Sequence, residues 1–175
     1  TRFEGRWKDL MVGLNEIMKA YNEPMLEAME RFVLIGEGKI PTSIKTEYKG
    51  DFVKIKESVN AAIEGLQGMV EANGVLQKMA RNDFTSTVQG DYRGIYREVA
   101  EAINNVIARL EHVQDIAVHV GGGDMRDLAD LKKTGKRSDN DKLIPAFIMM
   151  MESIESVLKD ARDLAESARN GDLKT

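Results

Sequence analysis

The segment Val59-Asn60-Ala61-Ala62-Ile63 decides how this chain is organised, because it returns 44 residues later as Ile103-Asn104-Asn105-Val106-Ile107. Each copy places an asparagine beside a bulky apolar residue, with another apolar residue four positions after the first. An earlier copy, Leu14-Asn15 with Met18, precedes the first by 45 residues. A recurring offset of 44 to 45 residues is typical of repeated supersecondary units. The chain is therefore predicted to contain tandem copies of one small module.

A glycine motif accompanies the repeat and is predicted to open each helix. Gly50-Asp51-Phe52 is followed by Gly90-Asp91-Tyr92 and preceded by Gly5-Arg6-Trp7. The first two motifs are only 40 residues apart, four fewer than the asparagine segments. Four residues are about one helical turn, so this difference would leave the apolar face of the helix unchanged.

A second element lies between the helical patterns. Each copy begins with Gly or Asn, which ends a helix as a C-cap, and continues with spaced apolar residues. The copies begin at Gly38, Asn82 and Gly123, and a fourth copy starts at Gly171-Asp172-Leu173. Their apolar residues are predicted to anchor a connector on the outside of a helical bundle. The anchors are Ile40, Ile44, Phe84, Val88, Met125 and Leu128.

The unit is thus predicted to be helix, connector and helix. Three complete copies are expected at residues 20–66, 67–110 and 111–158, called the first, second and third repeat below. The third has the longest connector, running through Lys132 to Asp141. Residues 1–19 would end a preceding unit, and residues 159–175 would begin a further one.

Apolar residues within the helices form heptad seams. In the segment from Val99 to Val120 their spacing alternates between four and three residues, as in a coiled coil. One narrow seam cannot be buried by a single helix. A connector of about twelve residues can span about 40 Å, which makes the two helices of a unit parallel. The predicted dimer core contains Val59, Ile63, Leu66, Val99, Ile103, Val106, Leu110, Met151, Ile154 and Leu158.

These patterns predict an all-α fold. Two parallel helices from each of two chains would close a four-helix coiled-coil bundle, and continuous helices would join consecutive bundles. Within the seam, Ile103, Val106 and Leu110 are expected to meet their symmetry mates. A solenoid that packs its repeats antiparallel within one chain is the alternative architecture, which the heptad seams and the connector length disfavour.

Two local features allow more than one interpretation. Pro24 lies inside an in-phase apolar run, which favours a kinked helix over a break with Asn22 as N-cap. The seam between Val70 and Leu76 is out of phase, as where a coiled coil changes its winding. Gly65, Gly68 and Gly74 fall in the same helix. They predict either a soft segment or harmless surface glycines.

Composition excludes several classes of function. The 175 residues carry a net charge of −4 and no cysteine, which argues against general nucleic-acid binding and excludes disulfides and thiol catalysis. His112 and His119 are expected to be solvated helix positions, since two histidines alone make a poor metal site. Gly121-Gly122-Gly123 lacks the Lys-Ser/Thr of a phosphate-binding loop, so it is expected to stop a helix. We expect no enzyme activity, no cofactor and no metal.

One short segment carries a local excess of positive charge, although the net charge of the chain is negative. The run from Lys132 to Arg137 is basic and is predicted to be a solvated loop, or else a contact to lipid or phosphate. No stretch is apolar and long enough to span a membrane, and the first residues do not form a signal peptide. The ends of the chain suggest a fragment of something longer.

The arrangement resembles the HAMP domain, in which two amphipathic helices are joined by a connector with glycine and two spaced apolar anchors. Gly50-Asp51 and Gly90-Asp91 carry a variant of the acidic residue near glycine that opens the family's second helix, whereas the third repeat offers Ser138 to Asp141 instead. The amino-acid sequences of residues 37–60 and 143–173 are similar to those of the poly-HAMP regions of methyl-accepting chemotaxis proteins.

This resemblance implies a parallel homodimer that relays a conformational signal from an upstream sensor to a downstream output domain of the same chain. It further implies the cytoplasmic portion of an inner-membrane receptor, with a histidine kinase and a coupling protein as partners. A linker of a sensor histidine kinase is an alternative from the same class. A static helical scaffold is an alternative from another class.

Overall fold

The computed structural model describes residues 5–171 and is all-helical, with no strand among those residues. The predicted all-α class is therefore confirmed. The start of the expected fourth copy, at Asp172-Leu173, lies outside the described residues. Along the described chain the helices are α1 (Arg6–Gly36), α2 (Phe52–Met79), α3 (Ile95–Gly121), α4 (Leu128–Thr134) and α5 (Leu143–Arg169).

The long helices end as the connector motifs predict. After α2, Asn82 adopts a left-handed conformation with φ of 59°, and the amide of Asp83 donates to the carbonyl of Lys78 at 3.1 Å. The same bond joins Lys39 to Leu34 after α1 at 2.9 Å. These bonds satisfy carbonyls that a helix end leaves without partners.

The predicted helix start at Gly90-Asp91-Tyr92 is wrong. These residues belong to the connector, and α3 begins at Ile95. The structural counterpart of Gly50 is Gly94, because both have positive φ (61° and 55°) just before a helix and lie 44 residues apart. The constant period of 44 residues therefore extends to the helix starts.

Helix α1 continues without interruption across Pro24, so the alternative of a break at Asn22 is wrong. A proline inside a helix removes one backbone hydrogen bond and crowds the preceding turn. Pro24 is nevertheless buried within its own chain, which offsets this cost by packing.

The third connector, predicted to be the longest, contains the short helix α4. The apolar side chains of Leu128 and Leu131 give this helix a buried face, with exposures of 8% and 3%. Burial of these two leucines explains why a helix forms here. Lys132 and Lys133, predicted to lie in a loop, are on its last turn, where positive charge is favourable at the helix C-terminus.

The chain divides into two compact units, one ending at Ile107 and one beginning at Ala108. The first unit holds two apolar clusters. One contains Ala28, Ile44, Val59 and Ile63. The other contains Ala72, Val75, Val88, Ala100, Ile103 and Ile107. The second unit holds the cluster of Ile116, Val120, Leu128, Leu131, Ile144 and Met151. Each cluster draws its residues from one predicted repeat, while the repeat boundaries themselves stay a prediction.

Candidate functional site: the connectors and their helix contacts

The connectors are held to their helices by buried apolar side chains. Ile44, Val88 and Leu128 are 2%, 6% and 8% exposed, and Phe84 and Met125 pack at the edges of their clusters. Five of the six predicted anchors therefore lie against a cluster.

Ile40 is the exception, and its placement corrects the prediction. It is 37% exposed, whereas its neighbour Pro41 is buried. Adjacent side chains of an extended segment point to opposite sides, so only one of the two can face the helices. In the first repeat the connector is thus anchored by Pro41 and Ile44.

Each of the first two connectors is also tied to its second helix by an asparagine bridge, meaning two hydrogen bonds from one asparagine side chain to one connector residue. The amide of Ile44 donates to Asn60 Oδ1 at 2.7 Å, and Asn60 Nδ2 donates to the Ile44 carbonyl at 3.0 Å. Asn104 forms the same bridge to Val88 at 2.9 and 3.0 Å. The bridges satisfy backbone groups that would otherwise be buried without partners.

A tyrosine at the far end of each of these connectors is tied to the first helix. The hydroxyl of Tyr48 donates to Glu27, and that of Tyr92 donates to Glu71. The hydrogen bond to Glu71, together with desolvation, raises the pKa of Tyr92 to about 12. Desolvation and the bond to Glu27 likewise raise the pKa of Tyr48. The tyrosine is therefore the donor in both pairs at neutral pH.

Glu71 receives additional donors from the connector. Its Oε1 accepts from the amide of Gln89 at 2.7 Å, and this bond, with the one from Tyr92, lowers the pKa of the carboxyl. The end of the second connector is therefore fixed to α2 at two successive points. Charge-assisted hydrogen bonds of this type are stronger than neutral ones.

The glycines of α2 are not equivalent. A Cβ on Gly68 would lie 2.7 Å from Tyr92 Cε1, and one on Gly65 would collide with the ring of Tyr96. Gly74 faces open space. Gly65 and Gly68 are thus needed for the close approach of two aromatic rings. Neither predicted role, a soft segment or a harmless surface glycine, describes these two positions. The predicted surface glycine fits only Gly74.

Helix α2 serves two clusters with opposite faces. Val59 and Ile63 pack in the first cluster, and Ala72 and Val75 pack in the second. Ile63 and Ala72 are nine residues apart, which is about two and a half helical turns, so their side chains lie on opposite sides of α2. One helix therefore contributes side chains to both clusters, while its assignment to two consecutive repeats stays a prediction.

The third repeat holds its connector differently. The position 44 residues after Asn104 is Ile148, which packs against the apolar cluster and offers no asparagine bridge. His119 Nδ1 lies 2.7 Å from Asp127 Oδ2, so the predicted solvated position of His119 is corrected to a half-buried, hydrogen-bonded one. His112 is exposed, as predicted.

The predicted dimer-core residues fall into three groups. Val59, Ile63, Ile103 and Met151 are already buried within one chain, and Leu66, Val99, Leu110 and Ile154 are half-buried. Val106 and Leu158 remain 47% and 38% exposed. Ile103 is 8% exposed because it packs in the second cluster, whereas Val106 and Leu158 keep much of their surface uncovered.

The described chain leaves extensive apolar surface uncovered. Trp7, Ile17 and Phe32 on α1 are 66%, 66% and 54% exposed, and Val157 on α5 is 66% exposed. Monomeric soluble proteins rarely expose contiguous apolar patches of more than a few hundred Å². The helices therefore have faces suited to pack against further helices.

A HAMP domain spans residues 2–68, where the model of that family matches the chain. The match covers α1, the first connector with its asparagine bridge, and α2 as far as residue 68. The HAMP domain is a signalling linker found in receptors. No curated protein and no solved structure matches the chain.

Within residues 5–171, no helix is long and apolar enough to cross a membrane. No three acidic or histidine side chains within the same range are grouped as metal ligands.

The sequence patterns do not predict the asparagine bridges or the tyrosine–glutamate pairs, although the asparagine itself is part of the repeat. Both kinds of contact can be found in the sequence by asking which of the bonded residues recur 44 positions later. Glu27, Tyr48 and Asn60 are each followed 44 residues later by the same residue type, at Glu71, Tyr92 and Asn104.

Proposed function

We propose that the chain is a tandem HAMP signal-relay module of a chemoreceptor, working as a parallel homodimer. The observation that carries this proposal is the uncovered apolar surface of α1, α3 and α5 beside a HAMP domain at residues 2–68. A second copy of the chain offers the same faces in the same order. It would bury them in symmetric four-helix bundles.

The second repeat is proposed to be a further HAMP-like unit. Its support is the recurrence, 44 residues on, of the asparagine bridge, the tyrosine–glutamate pair and the positive φ before the second helix. The third repeat retains a helix, an anchored connector and another helix, with α4 added. We assign it to the same class on that architecture.

The relay is proposed to pass through helices shared by consecutive repeats. Because α2 packs in two clusters without a loop between them, rotation or displacement in one bundle would enter the next directly. A switch requires two packings that differ by only a few kcal/mol. Burial of one connector anchor contributes about 1.5–3 kcal/mol, enough to shift that balance.

The similarity to poly-HAMP regions supports the wider context. In it, a sensor would lie upstream in the same chain, and a signalling domain downstream would control a histidine kinase through a coupling protein. The module would then belong to the cytoplasmic portion of an inner-membrane receptor. A sensor histidine kinase linker and a static scaffold are the alternatives, and they are separated by the output domain and by the oligomeric state.

Disulfide crosslinking tests the parallel homodimer directly, since the chain has no native cysteine. Val106→Cys on α3 and Leu158→Cys on α5 lie on the predicted seams and are exposed in the single chain. In a parallel dimer both positions face their symmetry mates and should crosslink efficiently on oxidation. Val118→Cys is the matched control, because it is also exposed on α3 but lies off the seam.

Crosslinking at one seam position but not the other would point to an antiparallel dimer. Equal crosslinking of Val106→Cys and Val118→Cys would show random collision. Light scattering of the unmodified protein completes the test. A monomer at tens of micromolar, a range where a dissociation constant of about 1 μM would already give mostly dimer, would contradict the proposal.

Insertions in α2 test the relay itself in the full receptor. One residue added at the exposed Asn73-Gly74 would rotate everything downstream by about 100°, whereas seven added residues nearly restore the seam. Output should change sharply for the single insertion and recover substantially for the longer one. Equal behaviour of the two would rule out rotation through this helix.

A further inference from the structure

A cavity of about 250 Å³ lies in the third repeat, between α3 and the start of α5. Its lining includes Arg109, His112 and Val113 from α3 and Leu143 and Ile144 from α5. Arg137, from the loop that follows α4, also belongs to the lining. All of these residues belong to the compact unit that begins at Ala108.

The same place is filled by aromatic rings in the second repeat. Gly65 and Gly68 lie 44 residues before Arg109 and His112, and the rings of Tyr96 and Tyr92 cover them. The third repeat has no ring at the matching positions. The residues 44 positions after the two tyrosines are Lys136 and Asn140.

The first repeat also has an aromatic contact at this position. Tyr21, which precedes Gly65 by 44 residues, packs edge-on against Phe52 with ring centroids 5.7 Å apart. Phe52 in turn precedes Tyr96 by 44 residues. Aromatic contacts thus connect the two helices of the first and second repeats at the position where the third repeat has a cavity.

The wall of the cavity is positively charged. Within residues 5–171 neither arginine forms an ion pair, and His112 forms none either. Asp141 is the acidic residue of the lining, and its carboxylate accepts from the amides of Arg137, Leu143 and Ile144 at 3.0, 2.9 and 3.2 Å. These bonds, together with the nearby charge of Arg137, lower the pKa of Asp141 and keep it ionised. With two arginines and one aspartate, the lining still carries a net positive charge beside its apolar side chains.

We propose that this cavity binds a small organic anion with an apolar body, such as an aromatic carboxylate. The carboxylate is recognised by Arg109 and Arg137, because guanidinium groups match its planar geometry. The apolar body occupies the space against Val113, Leu143 and Ile144, at the position where aromatic rings pack in the first and second repeats. A bound anion would connect α3 to α5 as those rings connect the helices of the second repeat. Binding itself rests on the cavity and not on the signalling role.

Benzoate is the probe, added to the full chain while backbone amide shifts are followed by NMR. Saturable shifts are expected at Val113, Arg137 and Leu143, with a dissociation constant of about 1 mM. Arg109→Gln and Arg137→Gln should each weaken binding about tenfold, the loss of one charged hydrogen-bonding partner. Lys133→Gln is the matched control, because it removes the same charge from the basic run without lining the cavity.

A second variant separates a built cavity from a diffuse positive surface. Leu143→Gln removes part of the apolar wall from a half-exposed position and leaves both arginines. It should weaken benzoate binding several-fold and leave the response to inorganic phosphate unchanged.

Three results would overturn the proposal. They are the absence of saturable shifts with benzoate, equal weakening by Lys133→Gln and Arg109→Gln, and phosphate shifts as large as those of benzoate at the same residues.

Discussion

The second and third connectors satisfy their buried backbone groups in two different ways. Each must hold a chain segment against two helices while leaving no buried backbone group without a partner. The second connector is extended, and its backbone groups form hydrogen bonds with the side chains of Asn104 and Glu71. The third forms its own hydrogen bonds by folding into α4 and buries Leu128 and Leu131 instead.

This difference teaches that the asparagine bridge and the extended connector belong together. An extended segment has polar backbone groups to satisfy, so its helix must supply a polar side chain in the core. A helical connector satisfies most of its own groups. The third repeat can therefore place Ile148 where the second has Asn104. Four substitutions test the comparison, and their expected effects range from a large loss of stability to almost none.

The largest effect is expected from Asn104→Ala. It leaves both the N–H and the C=O of the buried Val88 without partners, and each unsatisfied group costs about 1–3 kcal/mol. We expect the free energy of unfolding to fall by about 3 kcal/mol in urea titrations. Hydrogen exchange at the Val88 amide should also become much faster.

Asn105→Ala is the control for this experiment, because Asn105 is the adjacent exposed asparagine on the same helix. Its unfolding free energy should change by less than about 0.5 kcal/mol. Equal effects of the two substitutions would mean that the bridge to Val88 contributes nothing beyond the helix propensity of asparagine.

A somewhat smaller effect is expected from Gly68→Ala. The added Cβ meets the ring of Tyr92 at 2.7 Å, and overpacking of this kind costs about 1–3 kcal/mol. Gly74→Ala, in open space on the same helix, should instead stabilise by up to about 1 kcal/mol. Thermal unfolding of both variants measures the difference, and stabilisation by Gly68→Ala would show that the ring does not pack on the glycine.

Alkaline pH should weaken the second repeat through Tyr92. Its pKa is raised from 10.0 to about 12 in the folded chain, so the neutral phenol is favoured by folding. The stabilisation is fully present below pH 10 and is lost as the pH rises through 12. The urea midpoint should therefore fall over this interval.

Tyr92→Phe should cost about 1 kcal/mol at neutral pH and should remove most of that fall. The remaining dependence would come from Tyr48, whose pKa is also raised. An unchanged alkaline slope in Tyr92→Phe would count against its bond to Glu71.

The smallest effect is expected from Asp127→Asn in the third repeat. The contact between His119 and Asp127 involves side chains that are 32% and 20% exposed, and polar contacts near the surface contribute about 1 kcal/mol or less. We expect exchange at the Leu131 amide to change little. A loss as large as that of Asn104→Ala would show that this pair, rather than the buried leucines, holds the third connector.

Much of the architecture could be predicted from the sequence because it depends on local pattern. Apolar periodicity located the long helices, and Gly or Asn before an isolated apolar residue located their ends. The period of 44 residues led to the resemblance to HAMP domains, and a HAMP domain does span residues 2–68. These features are repeated along the chain, so each copy reinforces the interpretation of the others.

Contacts between distant residues could only be decided by the tertiary structure. The motif at Gly90-Asp91-Tyr92 resembled a helix start, yet Tyr92 belongs to the connector because its ring packs on Gly68 and its hydroxyl reaches Glu71. Ile40 matched the spacing of an anchor, but the buried side chain is that of Pro41.

The sequence by itself thus determined the helical class, the period and the positions where helices end, since these follow from the residues within one or two turns. The tertiary structure decided which polar groups pair, which glycines are needed and where a repeat leaves a cavity. Those outcomes depend on the space between elements. That space is set by side chains brought together from positions 16 to 31 residues apart, as with Asn104 and Val88 or Gly65 and Tyr96.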